Sequence, residues 1–146
     1  MDFAINDLAE FPLSNKETVV VLSNLLDNAI EACKTQKGTR LIRVKIQCSE
    51  EKTILSVMNT IDKAPVMENG LPVTTKADPL AHGYGLQNIV SILADHGACP
   101  AILCQDGWFQ FSTVLFHQDY FACAGARSNY TKIPLIFLRM SFRDIF

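Results

Sequence analysis

The sequence predicts an α+β domain: a mixed, mostly antiparallel sheet with helices packed on one face. Three observations carry this. A long helical run, residues 18–34, contains neither Gly nor Pro. Two pairs of apolar segments each read as a β-hairpin, and a second helical run stands between them. Helices interspersed with hairpins bury both sets of apolar side chains most completely when they stack on a single side of the sheet.

The first helix begins at Ser14, followed three residues later by Glu17. That spacing is a capping box, in which each side chain satisfies the other residue's backbone N–H. The helix runs through Lys34 and is expected to stop at Gly38. In Leu41–Cys48, Ile42, Val44, Ile46 and Cys48 alternate with Arg43, Lys45 and Gln47, a period of two that marks a half-buried strand. A polar turn, Ser49–Lys52, leads into a second strand, Thr53–Asn59.

Pattern is lost from Thr60 to Ala81, where Pro65, Pro72, Pro79 and Gly70 punctuate the chain and leave no room for regular structure. A loop of that length inside a compact domain reads as a lid or binding loop, with simple disorder the other reading. Gly83-Tyr84-Gly85 then opens a helix, Leu86–Asp95, closed by Gly97. Ala101–Cys104 and Trp108–Phe116 are two strands joined by Asp106-Gly107, a strong hairpin signal. Residues 1–116 hold these elements, and residues 117–146 form a tail or extension of unknown role, in which Ile133–Leu138 reads as a terminal strand or an adhesive segment.

A chain of 146 residues with 49% apolar content and a net charge of −2 suits one domain with a real core. The charge lacks the basic excess of a nucleic-acid binder, and Lys132, Arg139 and Arg143 in the tail are too sparse for such a patch. No apolar run approaches the ~18–20 residues of a membrane span. The acidic N-terminus shows no secretory signal. Five cysteines with no Cys-x-x-Cys pair suggest a reducing, cytoplasmic setting. His96, Cys99 and Cys104 fit no standard zinc spacing. Trp108 and the phenylalanines near it are expected to be core residues.

Three stretches could carry chemistry. On the first helix, Asn24, Asp27, Asn28 and Glu31 lie at i, i+3, i+4 and i+7, forming one polar stripe on an otherwise apolar cylinder. A solvated face would explain it, yet such faces use Lys, Glu and Arg, because Asn is a poor helix former. Two amides one turn apart suit a Mg²⁺ ion that keeps several waters and bridges to phosphates. The second stretch is Thr74-Thr75-Lys76 followed by His82-Gly83-Tyr84-Gly85-Leu86. Two glycines at a helix start let backbone N–H groups approach an anion, although most Gly-x-Gly pairs are ordinary turns. It is neither a P-loop nor the dinucleotide fingerprint. The third is Val57-Met58-Asn59-Thr60-Ile61, where Asn59 ends a strand, either as a turn residue or as an amide that pairs with the edge of a base.

Together these stretches resemble the GHKL superfamily of ATP-binding domains, which comprises gyrase, Hsp90, histidine kinases and MutL and shares the Bergerat sandwich. Asn24-Leu25-Leu26-Asp27-Asn28-Ala29-Ile30-Glu31-Ala32 looks like its N-box, and His82-Gly83-Tyr84-Gly85-Leu86 like its second glycine box. Thr74-Thr75-Lys76 ahead of that box most resembles the catalytic domain of quorum-type sensor histidine kinases. The likeness covers about residues 3–116.

The resemblance implies ATP and Mg²⁺ as cofactors. Asn28 would be the Mg²⁺ ligand, and Asn24 would help to hold the phosphates; these two are the catalytic candidates. Gly83, Tyr84 and Gly85 would bring backbone to the phosphates, with Leu86 opening the helix behind. Asn59, with Ile61 beyond it, would stand at the adenine position. Thr75, Lys76 and His82 would be lid-side nucleotide contacts.

The sequence departs from the family pattern in three places. Asn59 replaces the usual Asp, and Thr60-Ile61-Asp62 stands where a Gly-x-Gly normally follows. Glu31 lies where many histidine kinases have a Lys, which leaves it a metal-shell or structural role. Residues 117–146 match nothing in the family.

The resembling hydrolases place a general-base Glu where Asn24 stands, and an amide cannot activate water. Phosphoryl transfer to an imidazole therefore fits better than hydrolysis. The expectation is the ATP-binding catalytic domain of a sensor histidine kinase, donating the γ-phosphate to a His on a separate dimerisation segment in two-component signalling. A response regulator would be an indirect partner. None of His82, His96 and His117 sits in a phosphoacceptor setting, so the chain is expected to be a piece of a longer kinase whose parent could carry a membrane anchor elsewhere. The alternatives are a serine kinase of the anti-sigma-factor type and a degenerate nucleotide-binding module that regulates without transfer.

Overall fold

The structure, a computed structural model, describes residues 1–5, 11–68, 70–73 and 84–117. In chain order the elements are β1 (Asp2–Ile5), α1 (Asn15–Lys34), β2 (Ile42–Cys48), β3 (Lys52–Thr60), β4 (Met67–Glu68), β5 (Leu71–Pro72), α2 (Gly85–Asp95), β6 (Ala101–Gln105) and β7 (Trp108–Phe116). The main sheet has the order β1-β2-β3-β7-β6. β1 runs parallel to β2, and every other pairing in it is antiparallel. The α+β class and the mixed sheet expected from the sequence are what the structure has.

Local chemistry accounts for the ends of α1. Ser14 N–H donates to Glu17 Oε2 at 2.9 Å, and Glu17 N–H donates back to Ser14 Oγ at 3.3 Å, which completes the capping box. The other end falls at Lys34, as the sequence reading has it, but the residue that caps it is Thr35 and not Gly38. The Thr35 hydroxyl donates to Ala32 O at 2.9 Å and Gln36 N–H to Cys33 O at 3.3 Å, so the last carbonyls are satisfied without a glycine. α2 closes as expected. Gly97 takes φ 66°, its N–H bonds Ala94 O at 2.9 Å, and Ala98 N–H bonds Leu93 O at 2.8 Å, the two bonds of a Schellman motif. Between β6 and β7, Asp106 and Gly107 both have positive φ, 51° and 77°, as a two-residue type I′ turn requires.

The core lies between the helices and one sheet face. Val21, Leu25, Ala29 and Cys33, each four residues after the last, form the buried ridge of α1. Ile89 and Leu93 of α2 join them, against Val44 and Ile46 of β2, Leu55 and Val57 of β3, and Phe111 and Leu115 of β7. The opposite face carries a small polar cluster. Ser56 Oγ and Ser112 Oγ lie 2.8 Å apart, and Gln110 Nε2 donates to Ser112 Oγ at 2.8 Å.

Two further elements depart from the sequence reading. β1 was not expected: four residues are too few to show a period, and all four are exposed, so the strand rests on backbone pairing with β2. The 60–81 segment, expected to lack regular structure, contains a ribbon in which Met67 pairs with Pro72 and Glu68 with Leu71. Gly70 makes its turn at φ 78°, and Pro72 fits because a two-residue strand at an edge owes no second ladder bond. Residues 74–81 of that segment and 118–146 of the tail lie outside the described residues.

Candidate functional site

A cleft of about 770 Å³ opens between the second half of α1, the ends of β3 and β7, residues 61–66, 68 and 71–73, and the start of α2. Its floor is apolar: Leu25, Ala29, Val57, Phe109 and Phe111. The sheet supplies that floor because Asn59 and Phe109 are cross-strand partners, as are Val57 and Phe111. Polar groups enter from three directions, Asn28 and Glu31 from the helix, Asn59 from β3, and Asp62, Lys63 and Glu68 from the connecting segment.

Asn28 is the most informative of these. Its Nδ2 is buried and has no hydrogen-bond partner among the described residues. An unmet buried donor costs about 1–3 kcal/mol, so proteins keep one mainly where something else will meet it. Asn24, one turn earlier, is employed differently. Its Nδ2 donates to Val20 O at 2.8 Å, and its Oδ1 lies against Gly85. A Cβ on Gly85 would stand 2.9 Å from that oxygen, so any larger residue there would have to displace the Asn24 side chain.

The start of α2 has no side-chain cap, since Tyr84 occupies that place and makes no capping bond. Uncapped N–H groups at the positive end of a helix dipole attract anions. Gly85 and Leu86, the first two residues of α2, both line the cleft. An orphan amide on α1 therefore shares one cleft with the bare N-terminus of α2.

Asn59 is only 3% exposed. Its Nδ2 donates to Thr60 O at 2.9 Å. Gln36 Nε2 donates to the same carbonyl, and the Thr60 hydroxyl lies 2.9 Å from Gln36 Oε1 and 2.8 Å from Thr39 O. Sequence reasoning did not single out Gln36. Its partner is 24 residues away, so no local pattern could have shown it.

The two helices are also tied at their far ends. His96 Nε2, at the end of α2, lies 3.1 Å from Glu17 Oε1, at the start of α1. The Ser14 hydroxyl and His96 hydrogen-bond the Glu17 carboxylate, and with the Ser14 N–H they hold its pKa down at about 2. In Cys104, burial pushes the thiol upward.

Of the residues singled out from the sequence, Asn28, Asn59, Ile61, Gly85 and Leu86 meet at the cleft. Asn24 stands behind Gly85. Tyr84 is 56% exposed and does not line the cleft. Thr75, Lys76, His82 and Gly83 lie outside the described residues. Trp108, expected in the core, is half-buried, and the Arg43 guanidinium sits 4.8 Å from the centre of its ring. Among the described residues no helix is long and apolar enough to cross a membrane, and no cluster of three or more His, Cys, Asp or Glu is placed to hold a metal.

Curated proteins include no sequence match. Among solved structures, the chain is similar to the catalytic domain of the histidine kinase ThkA, with a TM-score of 0.62, 22% identity, and coverage of 80% of this chain and 78% of that one. It is also similar to full-length ShkA in complex with AMPPNP, with a TM-score of 0.57 at 15% identity, over 80% of this chain and 25% of that one. A histidine kinase domain from Erythrobacter litoralis gives 0.52 at 12% identity, over 77% and 48% of the two chains. At these identities the likeness is one of fold. The family model for the GHKL domain matches residues 14–116, a span that opens on the α1 cap and closes at the last residue of β7. By that match the chain belongs to the GHKL family.

Proposed function

We propose that this chain is the ATP-binding catalytic domain of a histidine protein kinase, passing the γ-phosphate of ATP to a His on a separate dimerisation segment. The observation that carries the reading is the buried Nδ2 of Asn28, without a partner among the described residues, in the same cleft as the uncapped N-terminus of α2. Membership of the GHKL family and the kinase-like fold support it, as does the AMPPNP held by ShkA.

The residues present fit Mg²⁺-bound ATP. Asn28 has a neutral amide: its buried Nδ2, without a partner among the described residues, can donate to a phosphate oxygen, and its Oδ1 would be the atom offered to a hydrated cation. The ion would neutralise charge on the phosphates. N–H groups at the start of α2 meet anionic oxygens, and the apolar floor with Asn59 at its edge accepts a flat base carrying an amino group. Asn24 has its nitrogen committed to Val20 O and cannot act as a base. Catalysis therefore rests on positioning and fixed dipoles, which suits transfer to an imidazole. Thr75, Lys76, His82, Gly83 and Tyr84 complete the proposed nucleotide site, and a response regulator is the proposed indirect partner.

The test incubates the chain with radiolabelled ATP, Mg²⁺ and a histidine-containing dimerisation domain. Label on that domain is expected. Binding of ATP without transfer would favour the second reading, a regulatory nucleotide-binding module, which the neutral Asn59 and the missing Gly-x-Gly favour.

A further inference from the structure

The amide of Asn59 is placed by a residue outside every motif. Gln36 is 4% exposed and lines the cleft from the connection between α1 and β2. It grips Thr60 at two points: Nε2 donates to the Thr60 carbonyl, and Oε1 lies 2.9 Å from the Thr60 hydroxyl. The neighbouring peptide N–H, that of Ile61, donates to Gly107 O at 2.8 Å. Both ends of the Thr60–Ile61 peptide are thus pinned just where β3 stops and regular ladder bonding can no longer hold it.

This decides which way the Asn59 amide faces. The two ends of an amide are close in shape and opposite in polarity. With the Thr60 carbonyl fixed, Nδ2 must face it at 2.9 Å, because the flipped amide would set oxygen against oxygen. Oδ1 is then the end left for a ligand at the cleft, and it only accepts. A 6-aminopurine has an N–H to give it, whereas a 6-oxopurine presents a second acceptor and is repelled. An unpinned amide could turn, accepting from a 6-amino group or donating to a 6-oxo oxygen, and would discriminate less. A carboxylate would need no such fixing, since both of its oxygens accept; the neutral Asn59 does.

We infer that Gln36, acting through Thr60, is the positioning residue that makes Asn59 a fixed acceptor and gives the cleft its preference for a 6-amino over a 6-oxo purine. The inference rests on the nucleotide reading above and adds to it a residue and a specificity.

Titration calorimetry on the full chain with ATP and with GTP, each with Mg²⁺, tests it. In Gln36→Leu the ratio of ATP to GTP affinity should fall roughly tenfold. Gln36→Glu keeps a partner for the Thr60 hydroxyl but loses the N–H donor, so it should show the same fall and guards against simple misfolding; thermal melts report on folding for each variant. In an Asn59→Asp background the ratio should no longer depend on Gln36. An unchanged ratio in both Gln36 variants would overturn the inference while leaving the nucleotide reading intact, and so would an equal fall in both backgrounds, which marks a merely structural role. A wild-type chain that binds neither nucleotide would overturn both.

Discussion

Asn24 and Gly85 are in direct contact across the two helices: a Cβ on Gly85 would lie 2.9 Å from Asn24 Oδ1 and 3.5 Å from its Cγ. The stripe on α1 is thus more than a hydrophilic surface. Its first amide is the surface on which α2 seats, and the nitrogen of its second, Asn28, has no partner among the described residues in the cleft beside that seat.

A double-mutant cycle follows from that contact. Gly85→Ala in the native background displaces an Asn24 side chain that is already bonded to Val20 O, and loses about 0.5–1.5 kcal/mol of hydrogen bond. In an Asn24→Ala background the space is free, and the same change should stabilise by ~0.4–1 kcal/mol by restricting the unfolded chain. Chemical denaturation of the four proteins measures both; the same sign in both backgrounds would refute the contact.

The Glu17–His96 pair predicts an acid dependence. Glu17 has a folded pKa of about 2 against an ordinary value of 4.5, so its ionised form is favoured in the native state. Its contribution is then fully present above the unfolded value and is lost as pH falls from 4.5 towards 2. Thermal melts across that window should show the wild type losing more of its Tm than Glu17→Gln. Parallel curves would show that the tie between the helix ends adds nothing.

Leu25 belongs to the buried ridge of α1 and to the floor of the cleft. Leu25→Ala should cost about 2–5 kcal/mol of stability in urea denaturation, with m unchanged. Val19, on the same helix but 66% exposed, should cost under ~0.5 kcal/mol when changed to Ala. Similar losses at the two positions would mean that the helix is rotated from the orientation described.

What was legible in the sequence was what depends on neighbours along the chain. The Ser14–Glu17 box, the Asp106-Gly107 turn and the Gly97 stop are short-range devices, and each sits where its spacing places it. The amide stripe also announced itself, because Asn is costly inside a helix. Three features were hidden for physical reasons. β1 is held by backbone bonds from β2 and has no side-chain pattern of its own. The Met67–Pro72 ribbon is too short for periodicity and contains a proline that argues against a strand. Gln36 acts through a partner on another strand. The end of α1 at Lys34 is legible, but its stop is not Gly38, because side-chain and backbone donors at Thr35 and Gln36 close it in place of a glycine.

The central claim is that the unmet amide of Asn28 is there for Mg²⁺-bound ATP. Isothermal titration of ATP with and without Mg²⁺, wild type against Asn28→Ala, tests it most directly. The account predicts tight, Mg²⁺-dependent binding by the wild type, and loss of that dependence in Asn28→Ala, with a thermal melt at or above the wild-type value because a buried unpaired donor is gone. Mg²⁺-dependent binding that survives unchanged in Asn28→Ala would contradict it.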